Sequence, residues 1–183
     1  MKVEKTFIPG LLVIEPDFFP DNRGFFFESF NKEKYIDAGI TVEFVQDNLS
    51  KSTKHTVRGL HYQAGEFAQG KLCQVITGTV LDVALDVRFG SPTFGKHFSI
   101  ELSGDNHRQI WIPPGFAHGF SVLTDEAIFS YKCTAKYDKP SERSIIYNDP
   151  VLGIEWKVDS PIVSDKDLKA KIFAEIEKEF FFT

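Results

Sequence analysis

Four side chains in this sequence have the types that acid/base chemistry needs: His61, Lys71, His118 and Tyr131. Alternation turns two of them inward. Phe116, His118, Phe120 and Val122 share one face of a period-two stretch, and Phe129, Tyr131 and Cys133 alternate with Ser130, Lys132 and Thr134. A polar group on the inner face of a β-structure is costly unless it is paired or used. A neutral imidazole suits a general base near pH 7. An ammonium in a cavity could steady a developing enolate or a phosphate. Each residue also has an ordinary role open to it: a core histidine bonded to backbone, a solvated strand-end lysine, a tyrosine tied to a carbonyl.

His61 stands in V-R-G-L-H-Y-Q. Strict alternation would send Arg58 and His61 to opposite faces, but Gly59 between them is a natural bulge site that would bring both to one side. Phe44, Gln46 and Asn48 form another set, with two amides on an aromatic face. Arg23, in D-N-R-G-F-F-F-E, is either an anion ligand or a turn arginine paired with Asp21 or Glu28. Asp167 can be read as decoration of a helix's first turn. None of the five histidines forms an H-x-H or H-x-x-x-H pair, which argues against a metal cluster. The run P-P-G-F-A-H-G-F resembles half of a cupin signature, whose other half, with its paired histidines and glutamate, is missing.

The elements that must position these groups are mostly strands. The 183 residues, 42% hydrophobic and 26% charged, suit one globular domain over residues 1–183 without linker, repeat or low-complexity tract. A net charge of −5 makes a poor nucleic-acid binder, so an anionic ligand must be met by a few placed cations. No apolar run reaches the roughly 18 residues of a membrane helix. Pro9 and Gly10 interrupt the only apolar stretch near the N-terminus, so no signal sequence is read there. Cys73 and Cys133 are expected as buried reduced thiols, as in the cytoplasm. The 19 phenylalanines are expected mostly in the core.

Two helices are predicted: Lys32–Ala38, capped by Asn31 and ended by Gly39, and Asp165–Phe180, capped by Ser164, with Leu168, Ile172, Ile176 and Phe180 along one stripe. Leu81, Val83, Leu85 and Val87 alternate with Val80, Asp82, Ala84 and Asp86, a strand that needs covering. Turn signals recur at short intervals without a βαβ rhythm. The expected fold is all-β, an antiparallel jelly-roll (cupin-like) sandwich or barrel with a short N-terminal helix and a C-terminal helix.

Taken together, DNRGFFFESF (21–30), FVQDNLSKS (44–52), VRGLHYQ (57–63), QGKLCQV (69–75), LDVALDVR (81–88), SPTFGKH (91–97), RQIWIPPGFAHGF (108–120), FSYKCT (129–134) and NDPVLGIEW (148–156) resemble the dTDP-4-dehydrorhamnose 3,5-epimerases, in family order over nearly the whole chain. The resemblance implies a homodimeric jelly roll that uses neither metal nor organic cofactor. It implies His61 as the proton-abstracting base, Asp167 as its orienting partner, Tyr131 as the acid on the opposite face of the sugar, and Lys71 near the C4 oxygen. It also implies that Arg23, Glu28, Gln46, Asn48, Arg58, His118, Glu142 and Lys166 bind the dTDP-sugar, with Tyr137 stacking on thymine. Other readings are an epimerase of one centre (C3 or C5), a sugar ketoisomerase, a non-catalytic nucleotide-sugar-binding cupin and a metal-dependent cupin dioxygenase.

Overall fold

The computed structural model describes residues 1–182; Thr183, the last residue of the expected domain, lies outside the described residues. In chain order the elements are β1 (Lys2–Lys5), β2 (Leu12–Glu15), β3 (Phe18–Asp21), β4 (Gly24–Phe27), α1 (Lys32–Asp37), β5 (Gln46–Thr53), β6 (Val57–Gln63), β7 (Lys71–Thr77), β8 (Thr79–Asp86), β9 (His97–Ser103), β10 (Gln109–Ile112), β11 (Phe116–Val122), β12 (Glu126–Cys133), β13 (Glu142–Ser144) and α2 (Asp165–Leu168). One antiparallel sheet runs β1-β2-β10-β7-β12-β5, the other β13-β6-β11-β8-β9, and β3 and β4 form a separate hairpin. This is the all-β jelly roll that the strand pattern predicts.

The two sheets face each other over the main core. Cys73, Val75, Ile110, Ile112 and Phe129 come from the first sheet, and Val80, Ala84, Phe116, Phe120 and Val122 from the second. On the outer side of the second sheet, Leu81, Val83 and Leu85 pack with Val57, Leu60, Ile145, Leu152 and Trp156. β8 is buried on both faces, the outer one covered in part by the chain's own residues beyond β13. On the outer side of the first sheet, α1 seals Ile14, Leu72 and Trp111 with Tyr35. Asn31 caps this helix, its Oδ1 accepting from Lys34 N–H at 3.3 Å. Gly39 follows its end at φ 90°, a conformation glycine adopts without steric cost.

The C-terminal helix is much shorter than its sequence pattern suggests. Ser164 does cap it, accepting from Asp167 N–H at 3.2 Å, but it ends at Leu168. Beyond it the chain runs as a largely extended strap with one 3₁₀ turn at Phe173–Glu175. Lys171 bridges Ile145, Phe181 bridges Phe89, and Phe89 N–H donates to Phe180 C=O at 2.8 Å. Backbone partners offered by the β-structure outweigh the propensity of a single apolar stripe. Leu168 and Ile172 of that stripe face solvent, while Ile176 and Phe180 pack on the outer core.

The phenylalanines also depart from expectation. Only Phe116, Phe120 and Phe129 are fully buried, and Phe18, Phe19, Phe25 and Phe26 are exposed on the β3–β4 hairpin.

Candidate active site

The alternation that turned the chemical side chains inward brings them to one cavity of about 590 Å³ between the sheets. His61 enters from β6 and His118 from β11; Lys71 and Tyr131 enter from β7 and β12 of the opposing sheet. Arg58, Ser50, Phe129, Lys166 and Asp167 complete much of its wall. The volume falls within the range of about 300–1,000 Å³ typical of small-ligand sites.

The bulge at Gly59 makes this convergence possible. β11 pairs His118 with His61 and Phe120 with Arg58, so two residues of β6 oppose the single Gly119 and the register slips by one. Arg58 and His61 therefore share the cavity, as the glycine between them predicts. Gly59 has φ 113°, and a Cβ there would lie 2.5 Å from Gly119 Cα, so no other residue fits without displacing the strand.

His61 Nε2–H donates to Asp167 Oδ1 at 2.6 Å, joining residues 106 apart in sequence. That leaves Nδ1 as the ring's lone pair, the atom able to take a proton. Burial pushes the Asp167 carboxyl upward, but its bonds from His61, Gly59 N–H and Ser164 outweigh burial and hold it below the usual carboxylate range. The cap at Ser164 thus fixes more than a helix end: it places the carboxylate behind the imidazole.

Tyr131 is pushed up to about 12, chiefly by burial. At neutral pH it is therefore a protonated phenol, the form that donates. Lys71 lines the same cavity, and among the described residues no carboxylate pairs with it. An unpaired, half-buried ammonium is available to an anionic oxygen.

His118 is nearly sealed. Its Nε2–H donates to Asp82 Oδ2 at 2.8 Å, and burial, with the charges of Lys71 and His61 nearby, lowers its proton affinity more than Asp82 raises it. Among the described residues, Cys73, Asp82 and His118 form the one cluster whose potential ligand atoms lie within 4.8 Å of one another. Since the imidazole N–H is spent on Asp82 and a lysine lines the same cavity, these groups fit a hydrogen-bonded pair better than a cation cage. Sequence reasoning left Asp82 without a role. The signal was a carboxylate sharing a strand face with Val80 and Ala84.

A second chamber of about 340 Å³ shares His61, Lys71 and Tyr131 with the first and adds Gln46, Asn48, Gln63, Tyr137 and Glu142. Gln46 Nε2 donates to Asn48 Oδ1 at 2.9 Å, and Gln46 Oε1 accepts from Tyr137 N–H at 3.0 Å. Tyr137 OH donates to Glu142 at 3.1 Å, and Lys166 Nζ meets the same carboxylate at 2.5 Å. Burial raises the Glu142 carboxyl, but the bond and charge of Lys166, with the Tyr137 bond and the nearby His61, together outweigh it and the net shift is downward.

Two of the expected binding residues lie elsewhere. Arg23, its side chain 85% exposed at the turn of the β3–β4 hairpin, pairs with Asp21. Glu28 pairs with Lys34 and accepts from Asn31 at 3.0 Å. Neither lines a cavity of this chain that holds His61.

An imidazole and a phenol on opposing sheets of one cavity in a jelly roll suit an isomerase, whose chemistry needs groups on two sides of a held ring. The comparisons make this specific. The dTDP-4-dehydrorhamnose 3,5-epimerase family model matches residues 5–175, and the chain belongs to that family. The dTDP-4-dehydrorhamnose 3,5-epimerase of Shigella flexneri is 53% identical over 178 residues, covering 97% of this chain and 98% of the relative. The dTDP-6-deoxy-D-glucose-3,5-epimerase of Legionella pneumophila, solved in complex with dTDP-4-keto-L-rhamnose, superposes with a TM-score of 0.96 at 48% identity over 100% of this chain and 98% of that one. More distant is a 3'-monoepimerase from Streptomyces bikiniensis in complex with dTDP-quinovose, with a TM-score of 0.87 at 33% identity, covering 92% of this chain and 86% of that chain.

Among the described residues no helix is long and apolar enough to cross a membrane.

Proposed function

We propose that this chain, acting as one domain over residues 1–183, epimerises dTDP-4-dehydro-6-deoxy-D-glucose at C3 and C5 to dTDP-4-dehydro-L-rhamnose, within dTDP-L-rhamnose biosynthesis. The observation that carries the reading is the placement of His61 and Tyr131 on opposing sheets of one cavity, with Lys71 beside them.

Both C3–H and C5–H flank the C4 ketone, so removal of either leaves an enolate. Inversion takes a proton from one face of the ring and returns one to the other, which calls for two groups across the cavity. His61 takes the proton, and Asp167 fixes its tautomer and steadies the imidazolium that forms. Lys71 meets the charge that grows on O4. Tyr131 returns a proton from the far side, and its raised pKa keeps that proton available. The reaction runs without metal or organic cofactor. Arg58, Lys166 and the Gln46–Asn48 pair take the nucleotide diphosphate, with His118 and Glu142 on the sugar nucleotide and Tyr137 against the thymine.

The enzyme is a homodimer in the cytoplasm. The exposed phenylalanines of the β3–β4 hairpin support a second copy as their cover, since contiguous apolar surface on a soluble protein marks an interface. Arg23, on the same hairpin, and Glu28, just beyond it, would then bind the sugar nucleotide of the second copy.

A single-centre epimerase remains the alternative favoured by an observation, because a 3'-monoepimerase shares this fold. Proton NMR of the 4-keto sugar nucleotide in heavy water with the purified enzyme separates the two. Loss of both the C3 and C5 hydrogen signals is expected. Loss of one alone establishes the single-centre reaction, and loss of neither leaves a binding protein.

A further inference from the structure

Arg58 differs from every other arginine in the chain. Arg23, Arg88, Arg108 and Arg143 each pair with a carboxylate. Arg58, on the wall of the main cavity, has none within salt-bridge distance among the described residues. Its side-chain partner is Ser52, whose Oγ accepts from Arg58 Nε at 3.0 Å.

Ser52 is built to hold a position. It is 6% exposed, and its backbone is paired to β12, with Ala127 directly opposite. Alternation along β5 puts Gln46, Asn48, Ser50 and Ser52 on one side, so Ser52 stands next in line after Ser50 of the cavity wall. An arginine offers five N–H donors in a rigid plane. Securing Nε from behind leaves the outer edge of the plane, with both terminal nitrogens, free to form the fork that matches phosphate oxygens. A neutral hydroxyl does this without cancelling the charge, as a carboxylate in its place would.

We propose that Ser52 is a positioning residue that aims the Arg58 guanidinium at the diphosphate of the bound sugar nucleotide. This rests on the reading above that Arg58 meets the diphosphate, and the test keeps the two apart.

Calorimetric binding of dTDP and of inorganic pyrophosphate, together with kcat and KM, is measured for the wild type, Ser52→Ala, Ser52→Thr, Arg58→Ala and the Ser52→Ala/Arg58→Ala double variant. Ser52→Ala is expected to weaken both probes and raise KM about five- to tenfold, the scale of one net hydrogen bond, with kcat little changed. Ser52→Thr, which keeps the hydroxyl, restores binding. In the Arg58→Ala background the serine substitution adds no further loss, a coupling that a merely structural role would not produce. Wild-type binding by Ser52→Ala while Arg58→Ala binds poorly overturns the positioning role, as does a serine effect undiminished without the arginine. Wild-type binding of both probes by Arg58→Ala overturns the diphosphate reading itself.

Discussion

The His61–Asp167 and His118–Asp82 pairs hold nearly the same hydrogen bond, at 2.6 and 2.8 Å, in opposite surroundings. The His61 side chain keeps 28% of its surface exposed, whereas that of His118 keeps 7% and its aspartate none. Asp82 even leaves its second carboxylate oxygen, Oδ1, buried without a partner. Their origins differ as well. His118 and Asp82 lie on paired strands, β11 and β8, where His118 is opposite Ala84, two residues from Asp82 on the same face. Asp167 arrives from the short helix α2 and is held there by its cap and by Gly59 N–H at 3.4 Å. The same two residue types thus make an accessible proton acceptor in one place and a locked hydrogen-bond donor in the other. Access to the cavity decides between them.

Replacing the open imidazole should have the largest effect. His61→Ala is expected to fold normally and lose about a thousandfold or more in turnover, within the range general-base removal gives. Substantial turnover by a folded variant would break the contrast at its root. Next comes the phenol across the cavity. Tyr131→Phe is expected to keep washing solvent deuterium into the sugar while net inversion falls about a hundredfold. Exchange and inversion lost together would move Tyr131 into the first step.

Asp167→Asn sharpens the comparison from behind the imidazole. It should cost about a hundredfold in kcat by releasing the ring's tautomer. It also has a stability signature. The folded state favours ionised Asp167, so its contribution is complete above the unfolded carboxylate pKa of about 4 and fades as the pH falls through the lower folded value. Acid titration of the variant, followed by circular dichroism, should therefore lack that part of the wild-type acid limb. The smallest catalytic effect belongs to the sealed pair. Asp82→Asn is expected to lower the melting temperature, on the scale of about 1–3 kcal/mol for a disturbed buried polar group, with kcat within about tenfold of wild type. A kcat loss matching that of Asp167→Asn would make the pairs equivalent and remove the distinction.

Much of this was readable before any coordinates. The inward parity of His118 and Tyr131, the bulge at Gly59 and the Asn31–Gly39 helix all rest on local rules of period and cap. The strap was not readable. Leu168, Ile172, Ile176 and Phe180 recur at helical spacing, yet the strand edges near Ile145 and Phe89 claim the backbone instead. Nor were the exposed hairpin phenylalanines, since composition ranks a side chain's affinity for the interior without saying which segment reaches it.

Alternation and punctuation are properties of neighbouring residues, so the chain by itself settled which side chains turn inward and where strands end. Contacts between distant segments obey no local period. Only folding could bring a carboxylate across 106 residues to His61, seal Asp82 behind His118, and leave Arg58 leaning on a serine with its charge unspent.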